Sequence, residues 1–468
     1  MNPVSSAGLS SGKKRFHILY SLRYFRYGLL LCLVPLARAL FALDLDRLFS
    51  ALYKDALILL LSAAGALALW LATGFSFDGG EVAAESGIFY KNRHVYAASS
   101  IAALEISRPL YCRILGASHV TLHFKNLTAP SRLKLYLNKR DAAALADGLM
   151  PVRGDTSVFA PTGIKRLNLV VLSANVLTSC AFVYMTIDHM DEFFDQDFHA
   201  IAAENVSRII AFAEHWLPAG ISALAALLFL LVTVAVLYSF LHTMGFSVCR
   251  NGGVIIARGG LVTKIERRIR VASVTSCEVR VTPVARLLRR YPVYVRAGSF
   301  NGGDIPLMLC RKGAEDTARL LLPGYTVPEG PLCAPGRKSP GVYVWKPAAC
   351  LALFLGMLGV AFASAPSLLP IPLLACILAF GALLVSLEGI AREGVCKNSN
   401  RTLSVCYTRN FTRHDVCVLT SDLSYSILET PFGISSGLCN LSVHLPCRVT
   451  MKVRSIPTFQ AAEIPFTL

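Results

Sequence analysis

Six apolar stretches, at about 27–43, 56–75, 167–187, 219–242, 347–364 and 369–387, constrain this chain more than any other feature. A helix that crosses a bilayer needs about 20 mostly apolar residues to cover about 30 Å of hydrocarbon. Composition points the same way. The 468 residues are 54% hydrophobic and only 16% charged, with a mean hydropathy of +0.53, where globular chains carry about a quarter charged residues. The stretches come in pairs, separated inside each pair by the short gaps 44–55, 188–218 and 365–368. The expectation is a polytopic α-helical membrane protein with six spans.

Charge sets the orientation, because cytosolic flanks keep Lys and Arg. Residues 1–26 hold Lys13, Lys14, Arg15, Arg23 and Arg26 and no acid. Segment 76–166 has 12 basic against 7 acidic residues, and segment 243–344 has 16 against 6. The gap 188–218 is the reverse, with seven acids facing a single Arg208. Both termini and all the long segments are therefore expected inside, at the cell membrane. The net charge of +17 reflects this topology, and a basic surface for anionic lipid is compatible with it. None of the 14 cysteines lies in the outward gaps and none shows Cys-x-x-Cys spacing, so they read as free thiols. The basic N-terminus, the run Gly28–Leu36 and Ala37-Arg38-Ala39 imitate a secretory signal; pairing with the second stretch favours an uncleaved helix.

The long segments carry strand patterns. Val120, Leu122 and Phe124 alternate, as do Leu133, Leu135 and Leu137, and Val293 with Val295. Asn138 is placed to cap a helix over Asp141–Leu149, whose Ala142, Leu145, Ala146 and Leu149 share a face. A second closing helix is expected over Ala314–Leu322, and a reduced one around Phe459–Glu463. Sliding one segment over the other by 173 residues superposes Gly87 on Gly260, Lys91 on Lys264, Ser100 on Ser273, Glu105 on Glu278 and Arg113 on Arg286. The third segment is more diverged: Leu441, Val443 and Leu445 alternate, and Pro431 can stand where Pro109 does. The expected organisation is spans 1–2 within 1–75, a domain at 76–166, spans 3–4 within 167–243, a domain at 244–344, spans 5–6 within 345–388 and a short domain at 389–468.

Gly-Ile-Phe at 87–89 or Gly-Leu-Val at 260–262 precedes an apolar–acidic–apolar strand. Then comes Arg-Pro-Leu-Tyr-Cys-Arg-Ile-Leu-Gly at 108–116, or Pro-Val-Ala-Arg-Leu-Leu at 283–288. This sequence of motifs resembles the bacterial pleckstrin-homology-like (bacterial PH) domain. Three such domains behind paired helices resemble the YdbT-like membrane proteins, and His17-Ile-Leu-Tyr-Ser-Leu is similar to their opening. The resemblance implies small β-sandwich or barrel domains, α+β or mainly β, each closed by a C-terminal helix. It also implies a complex with a smaller PH-like membrane protein of the same family and a role in envelope stress or defence, but no cofactor, catalytic motif or nucleic acid.

Chemistry-bearing motifs are weak. Gly433-Ile-Ser435-Ser-Gly437 matches a nucleophile elbow, but an alternating strand follows it where a helix is needed. His119 and His123 stand four apart on a strand, about 13 Å from each other, too far to share a metal. Asp188, Glu192, Asp195 and His199 share a helix face that either holds a divalent cation through oxygens or is simply solvated; the solvated face is favoured. Arg38 snorkels or lines a polar cavity. Arg113, Arg267, Arg268, Arg270, Arg286, Arg289 and Arg290 are candidates for contact with lipid headgroups or a partner protein. The functional expectation is a non-enzymatic membrane scaffold or sensor whose domains bind one another, a partner or anionic lipid, as a homo- or hetero-oligomer. A transporter or channel with regulatory cytosolic domains is the alternative, disfavoured by the scarcity of ionisable groups inside the spans.

Overall fold

The computed structural model describes residues 14–22, 45–125, 132–152, 157–174, 198–215, 219–310, 339–364, 369–445 and 449–458, except 79, 89, 400, 410, 421 and 422. It also describes residues 25, 321, 322, 325, 447 and 461, which stand alone or in pairs outside these ranges; 446 and 448 are not described. A 3-10 turn, Ile18–Tyr20, is followed by helix α1 (Leu45–Leu71), then β1 (Gly74–Phe77), β2 (Glu81–Ser86) and β3 (Asn92–Ala97). Next come β4 (Ile101–Arg108), the short helix α2 (Leu110–Ile114), β5 (Ala117–Phe124), β6 (Arg132–Asn138) and α3 (Lys139–Leu149). Strand β7 (Ser157–Phe159) leads to α4 (Ile164–Ser173), α5 (Phe198–Glu214) and α6 (Ala219–Thr243). The pattern then recurs as β8 (Ser247–Asn251), β9 (Val254–Gly259), β10 (Lys264–Arg270), β11 (Val274–Val281), α7 (Pro283–Leu287), β12 (Tyr291–Ala297) and β13 (Met308–Cys310). Helices α8 (Pro340–Ser364) and α9 (Pro370–Arg392) precede a third run: β14 (Gly394–Ser399), β15 (Thr402–Arg409), β16 (Thr412–Leu419), β17 (Ser424–Leu428), α10 (Pro431–Ser436), β18 (Leu438–His444) and β19 (Thr450–Pro457).

The 173-residue repeat is real in three dimensions. Strands β2 and β4 and helix α2 recur as β9, β11 and α7 with every boundary shifted by that amount. The third run keeps the order of three strands and then three more, with a short helix after the first strand of the second set. Pro431 opens α10 as Pro283 opens α7, one position later than Pro109, which caps α2.

The residues fall into two compact units. One comprises Met1–Thr156, Arg250–Arg258 and Val262–Ser273; the other comprises Ser157–Cys249, Gly259–Leu261 and Val274–Leu468. The boundary runs through the second repeat, so β10 belongs to the first unit and β11 to the second.

In the first unit β1-β2-β3 form one antiparallel sheet, and β6-β5-β4-β10 run in order through another. The alternating residues of β5 and β6 point into a core of Val120, Leu122, Leu135 and Leu137. Helix α3 closes it with Ala142, Leu145, Ala146 and Leu149, the face the spacing predicts. Phe16 and Tyr20 complete this core, and the Trp70 indole at the end of α1 donates to the Phe16 carbonyl at 2.8 Å.

In the second unit the sheet order is β13-β12-β11-β16-β15-β14, with β17-β18-β19 as a separate sheet. Val405, Tyr407, Val416, Val418, Leu441 and Val453 belong to the shared core of these two sheets. The Ser239 hydroxyl of α6 donates to the Val170 carbonyl of α4 at 2.7 Å.

The six-span expectation is corrected. Among the described residues two helices are long and apolar enough to cross a membrane, Pro340–Ser364 and Ile371–Arg392. Ala56–Leu71 within α1 and Leu228–Thr243 within α6 are shorter apolar helices. At about 1.5 Å per residue Ala56–Leu71 covers about 24 Å, short of the hydrocarbon thickness. Helix α1 ends at Leu71 and β1 begins at Gly74, so the last residues of the expected stretch 56–75 are not helical. The stretch 27–43, the end of 167–187 and the acidic positions 188–197 lie outside the described residues, as do Arg38 and most of the closing helices expected at 314–322 and 459–463.

Candidate functional site

Three short helices occupy the same place in the three runs. Two have a threonine N-cap: the Thr282 hydroxyl accepts from the Ala285 N–H and the Thr430 hydroxyl from the Gly433 N–H, each at 3.1 Å. Each helix leaves aliphatic surface in solvent, most of all Ile114 at 83%, Leu287 at 83% and Ile434 at 63% exposure. A lone exposed leucine is ordinary. Ile114 and Leu287 stand at equivalent positions of the 173-residue repeat, with Arg113 and Arg286 beside them, and Ile434 lies on the corresponding helix of the third run, one position earlier.

Helix α7 sits at the foot of α9. The Arg286 guanidinium donates to Glu388, whose other oxygen accepts from Arg413 at 2.6 Å. Arg413 in turn grips Asp415 through Nε at 3.1 Å and Nη2 at 2.9 Å. The Cys406 thiol donates to Asp415 at 3.0 Å, and burial followed by the Asp415 charge pushes that thiol's pKa well up, so it is inert. One step further along, the fully buried Glu393 accepts from the Thr408 N–H at 3.0 Å, from the Thr408 hydroxyl and from the Arg454 guanidinium at 2.9 Å. Arg454 lies 4.4 Å over the ring of Tyr343, on α8. Gly389 lets these groups close in, since a Cβ there would meet Glu393 and Thr408 oxygens at 3.1 Å and the Tyr343 ring at 3.3 Å. Both apolar helices are thus pinned at one end to the sheets of the second unit.

The strands that join successive repeats are also pinned by charge. Glu105 on β4 takes Arg267 from β10 at 2.9 Å. Its equivalent, Glu278 on β11, takes His414 from β16 at 2.5 Å, together with Arg280 at 3.0 Å and Arg296. Burial alone would raise the Glu278 pKa, but the His414 hydrogen bond and the Arg296 and Arg280 charges override it and hold it at about 2.

A family model described as the bacterial PH domain matches residues 31–152 and 205–324, more than half of the chain. The chain belongs to the bacterial PH-domain family. No curated protein and no solved structure matches it. The two matches cover the first two PH domains, with β1 to β6 and α3 in one and β8 to β13 in the other; the third run of strands lies beyond them.

The structure separates the seven arginines the sequence singles out. Arg267 and Arg268, 8% and 4% exposed, are buried between the first two PH domains. Arg268 holds Asp147 at 2.7 Å and the Met150 carbonyl at 2.9 Å, and Arg270 reaches the Ser99 carbonyl at 3.2 Å. These three are internal fastenings of the fold. Arg113, Arg286, Arg289 and Arg290 stay at the surface around the short helices, with Arg289 in the left-handed region at φ 50°. Sequence reasoning missed Glu388, Glu393, Arg413, Asp415, Arg454 and Tyr343. One signal was available: Glu388 stands one residue past the last apolar stretch.

The first PH domain also carries a half-open cleft of about 810 Å³, lined by Tyr20, Tyr96, Tyr111, His94, His119 and Arg132 among others. Burial, with smaller contributions from Cys112 and Tyr136, pushes the Tyr111 hydroxyl up to about 12, so it is a hydrogen-bond donor throughout the physiological range.

Proposed function

We propose that the chain is a non-enzymatic, multi-pass scaffold of the cell membrane, in which PH-like domains joined edge to edge press their short helices against anionic lipid. Residues 394–457 serve as a third such domain. The observation that carries this reading is the Arg286–Glu388 pair. It holds α7 at the end of an apolar helix, where a span leaves the bilayer, with Leu287 and the Arg289–Arg290 pair beside it. Aliphatic insertion into the interface and attraction of arginines to anionic headgroups, about 1 kcal/mol each, would then act together. Transport is disfavoured because Lys346, Glu388 and Arg392 stand near the ends of α8 and α9 and the stretches between them carry no charge.

The contact is tested on the full chain in vesicles, with a fluorophore on Leu287→Cys and brominated lipid as quencher. Quenching is expected in vesicles rich in phosphatidylglycerol, and it should weaken as salt rises or when Arg289 and Arg290 become Ser. Equal quenching in neutral vesicles, or none in either, would sink the lipid reading.

The topology makes its own prediction. In a background lacking native cysteines, Ser367→Cys, between α8 and α9, should label with an impermeant maleimide in intact cells. Ser339→Cys, at the start of α8, should label only after lysis. Labelling of position 339 in sealed cells would place the domains outside.

A further inference from the structure

The two junctions between repeats follow one rule. The third strand of one repeat's first sheet pairs antiparallel with the first strand of the preceding repeat's second sheet. In the first junction β10 pairs with β4, Lys264 opposite Arg108 and Ile269 opposite Ala103. In the second, β16 pairs with β11, Arg413 opposite Val281 and Val418 opposite Ser276. Shifting Arg108 and Ala103 by 173 residues gives Val281 and Ser276, so the register as well as the partner is repeated.

That rule leaves one strand of each kind over. β3 is the third strand of the first of these three repeats, and β17 is the first strand of the second sheet of the last of them. Both stand at the edge of a three-stranded sheet, and among the described residues no strand pairs with their outer sides. Every residue of β17 is exposed, including Ile427 at 43% and Leu428 at 63%, and on β3 Val95 is 46% exposed. An open, partly apolar edge invites pairing with another chain.

We propose that the chain associates head to tail with a second copy of itself, β17 of one copy adding to β3 of the next as β11 adds to β16. Thr430, which caps α10 as Thr282 caps α7, fixes the equivalence of β17 with β11. The repeated register then sets Lys91 opposite Glu429, Arg93 opposite Ile427 and Val95 opposite Tyr425. The charges agree with this pairing and oppose the symmetric one: two β3 edges would bring Lys91, Arg93 and His94 together, whereas β17 offers Glu429. A second copy is favoured because this chain already makes the same junction twice within itself. The contact is heterologous, so it generates a ring or a filament of chains.

The test uses the full chain in membranes, in two differently tagged forms, one with Arg93→Cys and one with Ile427→Cys, and a short bismaleimide linker. A mixed-tag adduct is expected, with none between two Arg93→Cys copies. Glu429→Lys should cut its yield at least fivefold, and Lys91→Glu in the other copy should restore it. A photoreactive phenylalanine at position 427 in the native background gives the same readout without removing thiols; its adducts should map to residues 91–97 of the other tag. Absence of mixed-tag adducts by both routes, linkage only within one chain or to a different protein, or yields indifferent to the charge exchange would each overturn the proposal.

Discussion

Glu278→Gln lowers the unfolding midpoint of the full chain in detergent by roughly 10 °C, the shift expected from a loss of about 3–5 kcal/mol. Glu278 is fully buried, and its oxygens answer Arg296 at 4% exposure, Arg280 and His414. Glutamine keeps the shape but leaves the Arg296 charge uncompensated in a dry sheet. The same group sets an acid limit. Its carboxyl ionises at about 2 in the fold against an ordinary 4.5, so ionisation adds on the order of 3 kcal/mol to the folded state. That contribution is complete above about pH 4.5 and is lost as pH falls toward 2. Across this window the native chain should lose stability while Glu278→Gln changes less. A midpoint shift under 2 °C, or parallel acid curves, would show that the cluster is hydrated.

Glu393→Ala costs about 3 kcal/mol and releases the end of α9 from the third run of strands. The alanine leaves the Thr408 N–H and the Arg454 guanidinium without their acceptor, and a buried donor stripped of its partner costs its full desolvation. Arg454→Ala removes the other half of the pair and its cover over Tyr343. Together the two changes should cost less than the sum of the single ones, a coupling of about 1–3 kcal/mol. Hydrogen exchange should accelerate in β15 and β19 before the rest of the chain. Glu204→Ala on α5 is the control: its pair with Arg208 is mostly solvent-exposed and is worth only a few tenths of a kcal/mol. If the Glu393 and Glu204 variants behave alike, the clamp carries no mechanical coupling.

Several of these features were legible in residues close together along the chain. The alternation at Val120, Leu122 and Phe124 and at Leu133, Leu135 and Leu137 gave strands β5 and β6, and the Ala142–Leu149 face gave α3. The repeat that brings Glu105 onto Glu278 pointed to the two acids that hold successive repeats together. The arginine run at 267, 268 and 270 misled, although it carried its own warning. On a strand neighbouring residues face opposite sides, so Arg267 and Arg268 could not both look outward.

By itself the sequence determined the units: strand periodicity, a 173-residue repeat, threonine caps and apolar helices are written in spacings of two to four residues or in direct identity between copies. Tertiary structure alone decided which edges meet. β11 pairs with β16 across more than a hundred residues, and backbone hydrogen bonds between edges depend on register, not side-chain identity, so no local pattern announces them. It also decided how many described helices suffice to span a membrane, because α1 stops at Leu71 and β1 starts at Gly74, inside a stretch that composition alone had counted whole. And it divided the arginines into fastenings and surface, since burial is a property of the partner brought from elsewhere in the chain.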